Sequence, residues 1–149
     1  MAFAALITWF AGVLAGLYML TVWLIENDVT RQHAAPSKLP VPVIFTHLVL
    51  AVTGLGVWAA YLILDRETLA WTAFGLLVMI ILLGLSMFAR WIPVHREPGW
   101  PAHLPDAQAE GLAIPAEGNF PIAVVATHGL LAGATLVLVL LTALGVGGS

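Results

Sequence analysis

Two histidines stand where ionisable residues are rare. His47 and His128 each lie inside an apolar stretch long enough to cross a bilayer, residues 40–64 and 121–144. Each directly follows a threonine, Thr46 or Thr127, and each lies seven residues after a proline, Pro40 or Pro121. An ionisable side chain within a membrane segment is costly, so it normally turns to the protein interior and has a role there. Two at matched positions imply one shared role. Imidazole can ligate a metal or a haem iron, relay a proton, or hydrogen-bond a neighbouring helix.

The surroundings of the two histidines also match. Laying Pro40 on Pro121 pairs Val41 with Ile122, Val43 with Val124, Leu50 with Leu131 and Ala51 with Ala132. A second match is independent of the first: Gly16-Leu17-x-Met19-x3-Trp23-Leu24 aligns with Gly84-Leu85-x-Met87-x3-Trp91-Ile92. The two matches in this order predict a duplicated helical hairpin. Two spans per repeat give both halves the same orientation, with a pseudo-twofold axis along the membrane normal.

Composition sets the elements that must carry these residues. The chain has 149 residues, 61% hydrophobic and 9% charged. A soluble domain carries roughly 25% charged residues. Here the apolar residues come in blocks, which predicts an all-α integral membrane four-helix bundle in one domain, with spans at about 2–25, 41–64, 69–92 and 120–146. The runs are too continuous for barrel strands, and only helices or closed barrels satisfy the backbone in lipid. The apolar N-terminal stretch lacks a basic leader and is too long for a signal-peptide core, so it is read as a retained span. Asp65, Arg66 and Glu67 are expected to form a tight turn, and residues 93–119 a polar, proline-rich loop. Absence of cysteine excludes disulfides, covalently attached c-type haem and Cys-ligated clusters. A net charge of −3 argues against a nucleic-acid partner.

Depth brings the chemistry together. His47 and His128 enter from the side carrying loops 27–39 and 93–119, roughly 10 Å in at helical rise. Trp23 and Trp91 end spans one and three on that side, at the level where interfacial tryptophan belongs. Gly16 and Gly84 lie seven residues inward of them, also roughly 10 Å deep. Two histidines and two glycines therefore share a layer. Below each histidine, at i+4 and i+7, the same helix face is small: Ala51 and Gly54 on one span, Ala132 and Thr135 on the other. This is the arrangement a flat macrocycle needs between four helices. The reading is one b-type haem with His47 and His128 as axial ligands, small residues against its faces, and glycines where its edges approach spans one and three. Bis-nitrogen ligation favours electron transfer over oxygen binding. The propionates would point to the loop side, where Arg90 is the best-placed cation, with Arg31, Lys38 and His95 also available.

In this pattern the chain resembles the small membrane b-type cytochromes and the haem-carrying anchor subunits of respiratory dehydrogenases. The resemblance covers the four spans. Its specific motif is Pro40-x5-Thr46-His47 with Pro121-x5-Thr127-His128. It implies electron transfer to or from a quinone or a partner protein. The departure is that spans one and three carry no histidine, so a single haem near one face does not bridge the membrane.

Other readings stay open beside it. The histidines can be interhelical hydrogen-bond donors to Thr46, Thr127 or a backbone carbonyl, in a structural or assembly subunit of a larger membrane complex. A metal ion or proton relay is a further role, although two histidines under-fill a zinc or copper site. Met19 and Met87 are read as packing rather than ligands. A parallel duplication also suits a small transporter or haem-handling protein. Gly12-x3-Gly16 and Gly129-x3-Gly133 fit close helix packing, with a homodimer as the minor reading. His33, His95 and His103 are expected in solvated loops, and Glu26 and Asp28 at the interface. Arg31, Lys38, Arg90 and Arg96 weigh the loop side toward the cytoplasm, leaving both termini outside a bacterial plasma membrane.

Overall fold

The computed structural model describes residues 1–27, 37–96 and 115–146, with the side chains of His95 and Arg96 left aside. It is all-helical. The elements are α1 (Ala2–Glu26), α2 (Val41–Leu64), α3 (Glu67–Arg96), a short 3₁₀ turn (Ala116–Asn119) and α4 (Ile122–Ala143). All four α-helices are long and apolar enough to cross a membrane.

The helix ends follow from local chemistry. Pro40 and Pro121 cap α2 and α4 in closely similar extended conformations, with φ/ψ of −68°/122° and −62°/125°. A proline has no N–H to orphan, so it suits a helix entry. Its carbonyl takes up two first-turn donors in each case: Val43 and Ile44 for Pro40, Val124 and Val125 for Pro121. The α2–α3 turn is short because Asp65 adopts the left-handed conformation, φ 47°, which aspartate tolerates better than most residues. At the end of α4, Gly145 takes φ 73°. The Gly145 N–H then reaches the Thr142 carbonyl and the Val146 N–H that of Leu141, the paired bonds of a glycine-terminated helix.

Several expected boundaries are corrected: α3 already begins at Glu67, expected in the turn, and α4 begins at Ile122. Span four stops at Ala143, not Val146, because of that glycine turn. α3 continues past Ile92 and through Pro93 to Arg96. Pro93 withholds one donor from the Ala89 carbonyl, a loss that membrane helices tolerate. Residues 93–96, expected in the loop, therefore belong to the helix.

Around the bundle each helix touches its two neighbours, α1 with α2 and α4, α3 with α2 and α4. The diagonal pairs, α1 with α3 and α2 with α4, make no backbone approach among the described residues. Two apolar clusters close the ends. One, around Trp58, Trp9, Ala5, Ala73 and Val139, fills the half nearer the α2–α3 turn. The other, Trp23, Leu39 and Ala116 with Leu20, Ile44, Met87 and Phe120 against it, closes the loop end.

Candidate functional site

Between these clusters lies a cavity of about 640 Å³, lined from all four helices. His47 on α2 and His128 on α4 both face it. They come from diagonally opposed helices, so their side chains meet where the backbones do not. The ring centroids are 6.2 Å apart, with the planes tilted by 54°.

Each ring is held by one nitrogen. His47 Nδ1 lies 3.0 Å from the Ile80 carbonyl of α3, and His128 Nδ1 lies 2.9 Å from the Gly12 carbonyl of α1. A carbonyl only accepts, so each Nδ1 must carry the proton and donate it. Each Nε2 is then an unprotonated lone pair, and neither has a protein partner among the described residues. The acceptors stand in matching places: Ile80 is four residues before Gly84, and Gly12 four before Gly16.

The glycines explain how the rings fit. A Cβ on Gly84 would stand 3.3 Å from His47 Cε1, and one on Gly16 would stand 3.3 Å from His128 Cε1. Each glycine thus makes room for an imidazole edge, as well as lining the cavity. The sequence had reserved that space for a macrocycle edge. Ala51, Ala132 and Thr135 line the cavity as expected for their faces. The Thr135 hydroxyl lies 2.9 Å from Thr8 Oγ1 and 2.7 Å from its own helix's Leu131 carbonyl.

Two expected residues stand elsewhere. Gly54 does not line the cavity, because the Trp9 indole packs onto it and a Cβ there would fall 2.6 Å from Trp9 Cζ2. Arg90 is exposed and also outside the cavity lining. Trp91 turns inward, so the residue one helical step before it turns out. Thr46 and Thr127 are exposed, and the histidines bond backbone carbonyls in their place. Arg31, His33, His103 and Asp28 lie outside the described residues.

A network across the loop end was not foreseen. Glu117, fully buried, accepts the Lys38 N–H at 2.7 Å and the Ser37 hydroxyl at 3.0 Å. Ser37 Oγ in turn accepts Trp23 Nε1 at 2.9 Å, and Trp91 Nε1 donates to the Glu117 carbonyl at 3.1 Å. A chain Trp23–Ser37–Glu117–Trp91 therefore spans the mouth of the bundle, joining the two matched tryptophans through both loop segments.

The described residues contain no group of three or more His, Asp or Glu side chains suited to a metal ion. Two imidazoles can hold a metal here only if the ligand brings the remaining donors. No family model matches this chain, and no curated protein or solved structure matches it.

Proposed function

We propose that the chain is a membrane b-type haem protein that transfers electrons, with one haem between the Nε2 atoms of His47 and His128. The observation that carries the reading is the ring spacing. A metal about 2 Å from each Nε2, with about 1.1 Å from nitrogen to ring centre and both nitrogens turned toward it, would set the centroids about 6.2 Å apart. The observed value is 6.2 Å. The tilt between the rings does not oppose this, since each ring can rotate about its own metal–nitrogen axis.

The rest of the site supports it. Metal-bound histidine commonly donates its other N–H to a backbone carbonyl or carboxylate, which fixes the tautomer and the ring. Both histidines do so here, to Ile80 and Gly12. Gly16 and Gly84 seat the rings, and Ala51, Ala132 and Thr135 leave the space between them open. A cofactor pocket is commonly about 300–1,000 Å³ and mostly apolar. His47 and His128 would hold the haem, which would supply one-electron chemistry there.

The duplicated hairpin is part of the same reading. It is supported by the like caps at Pro40 and Pro121 and by carbonyl acceptors at matched positions on α1 and α3. Two copies of one hairpin would supply two equivalent ligands for a symmetric ring. The loop-side cations support a cytoplasmic setting for that end, and a quinone or a redox protein is the partner this reading expects there.

The histidine–carbonyl bonds also favour a second reading, a structural subunit in which the histidines only tie helices together. The cavity weighs against it. It is about 640 Å³, mostly apolar and lined from all four helices, more room than side chains that only tie helices together require. The purified protein's visible spectrum separates the two. A Soret band with split α and β bands on reduction supports haem, and a preparation that stays colourless after haem is supplied removes it.

A further inference from the structure

The cavity is closed at one place and open at another. At the loop end, Leu39, Ala116 and Glu117 are buried, and the Trp23–Ser37–Glu117–Trp91 chain fastens the two covering segments to each other and to α1 and α3. At the opposite end, Trp58, Ala5, Ala73 and Val139 are packed without exposure. Among the described residues, neither end offers a path.

The lining tells where the path is. Between α1 and α2 it consists of half-buried residues such as Val13, Leu20, Ile44 and Leu48. Between α3 and α4 it includes residues that also face outward: Leu85 at 56% exposure, Phe88 at 43% and Leu130 at 75%. Gly129 stands among them, exposed, and a Cβ there would meet nothing within 4 Å. The gap lies at bilayer depth and its rim is apolar. Water gains nothing by entering it, whereas an apolar or amphipathic molecule dissolved in lipid reaches it by lateral diffusion.

We infer that the histidine cavity is loaded sideways from the bilayer, through an opening between α3 and α4 framed by Leu85, Phe88, Gly129 and Leu130. The occupant arrives as a lipid-dissolved molecule, and the Glu117 cap keeps the aqueous route shut. The inference concerns the cavity of the haem reading but does not depend on iron, so the two can fail separately.

The chain has no cysteine, so one can be placed in the cavity without background. Ala132→Cys puts a thiol on the lining. The variant is reconstituted in vesicles without haem and treated with either an alkyl-chain maleimide confined to lipid or a sulfonated maleimide confined to water. The lipid reagent is expected to label at least tenfold faster. Adding Gly129→Leu is expected to slow the lipid reagent at least fivefold, while Gly56→Leu, at an exposed glycine on α2 that also has open space, leaves it unchanged. Adding Glu117→Gln is expected to leave the lipid reagent's rate unchanged. Equal rates for the two reagents, or a Gly129→Leu rate equal to the parent's, would overturn the lateral route. So would a Glu117→Gln variant that opens the cavity to the lipid reagent faster than the parent. Leu130→Trp repeats the block should Gly129→Leu fail to fold.

Discussion

His47 and His128 approach to a ring separation of 6.2 Å although their helices, α2 and α4, stand on a diagonal of the bundle with no backbone approach. The side chains alone bridge that diagonal. Each is steadied from the side by a different neighbour, α3 for His47 and α1 for His128. All four helices thus take part in setting one pair of nitrogen atoms. That arrangement is specific enough to give quantitative expectations.

Gly16→Ala and Gly84→Ala test the seating of the rings. The new methyl would stand 3.3 Å from a Cε1 atom. The ring must yield by a few tenths of an ångström, and its Nδ1 bond resists. Overpacking of this kind costs about 1–3 kcal/mol. Haem affinity should fall about tenfold per substitution, since about 1.4 kcal/mol is a factor of ten. Haem titration of each variant checks this, and unchanged affinity in both would show that the rings do not need the glycines.

Gly54 and Gly56 make a contrast on one helix. Alanine at 54 would drive a methyl into Trp9, which is only 4% exposed and cannot step aside. A loss of about 1–3 kcal/mol is expected, seen as a lower Tm in detergent. Alanine at 56 meets nothing within 4 Å. There the gain in helix propensity, up to about 1 kcal/mol, should hold or raise the Tm.

Glu117→Ala tests the cap. It leaves the Ser37 hydroxyl and the Lys38 N–H without their acceptor, a cost of about 1–3 kcal/mol for buried groups. Residues 37–39 should loosen, and trypsin should cut after Lys38 several-fold faster than in the parent. Glu117→Gln keeps an acceptor oxygen and should lie between the two. Identical cleavage in all three proteins would remove the latch.

Much of this was legible in the sequence because the signals were strong and local. Membrane-length apolar runs with polar breaks marked the four helices. The equal spacing of Pro40 to His47 and Pro121 to His128 put both imidazoles at one depth, since helical rise is constant. What stayed hidden depended on contacts distant in the chain. Glu117 meets Ser37 and Lys38 across about eighty positions, and a polar loop gives no periodicity to announce it. Gly54 was placed on the cavity face by its i+7 spacing from His47, but the bulk of Trp9, from another helix, took that space. Pro93 reads as a breaker in most settings, yet one missing donor does not end a membrane helix. Gly145 ended α4 early because Val146 looks apolar while its neighbour's backbone turns left-handed.

Ligand removal gives another expectation. A molecule that binds only the folded state at a hundred times its Kd adds about 2.7 kcal/mol to stability. Haem-free protein should therefore melt several degrees below the haem-loaded form. Trp9, Trp23 and Trp91 line the cavity, so their emission should be quenched as haem is titrated in. Coincident quenching and stabilisation curves, with one haem per chain, are the expected result. Quenching without any rise in Tm would point to haem lying in the detergent or lipid instead.

The most direct test is the spin state of the iron, read by electron paramagnetic resonance on haem-loaded wild type, His47→Ala and His128→Ala. Two imidazole ligands predict a low-spin, six-coordinate ferric signal in the wild type. Either substitution should convert it to high spin, and adding free imidazole should restore low spin. A low-spin signal that survives in both variants, or a high-spin signal in the wild type, would contradict ligation by this pair.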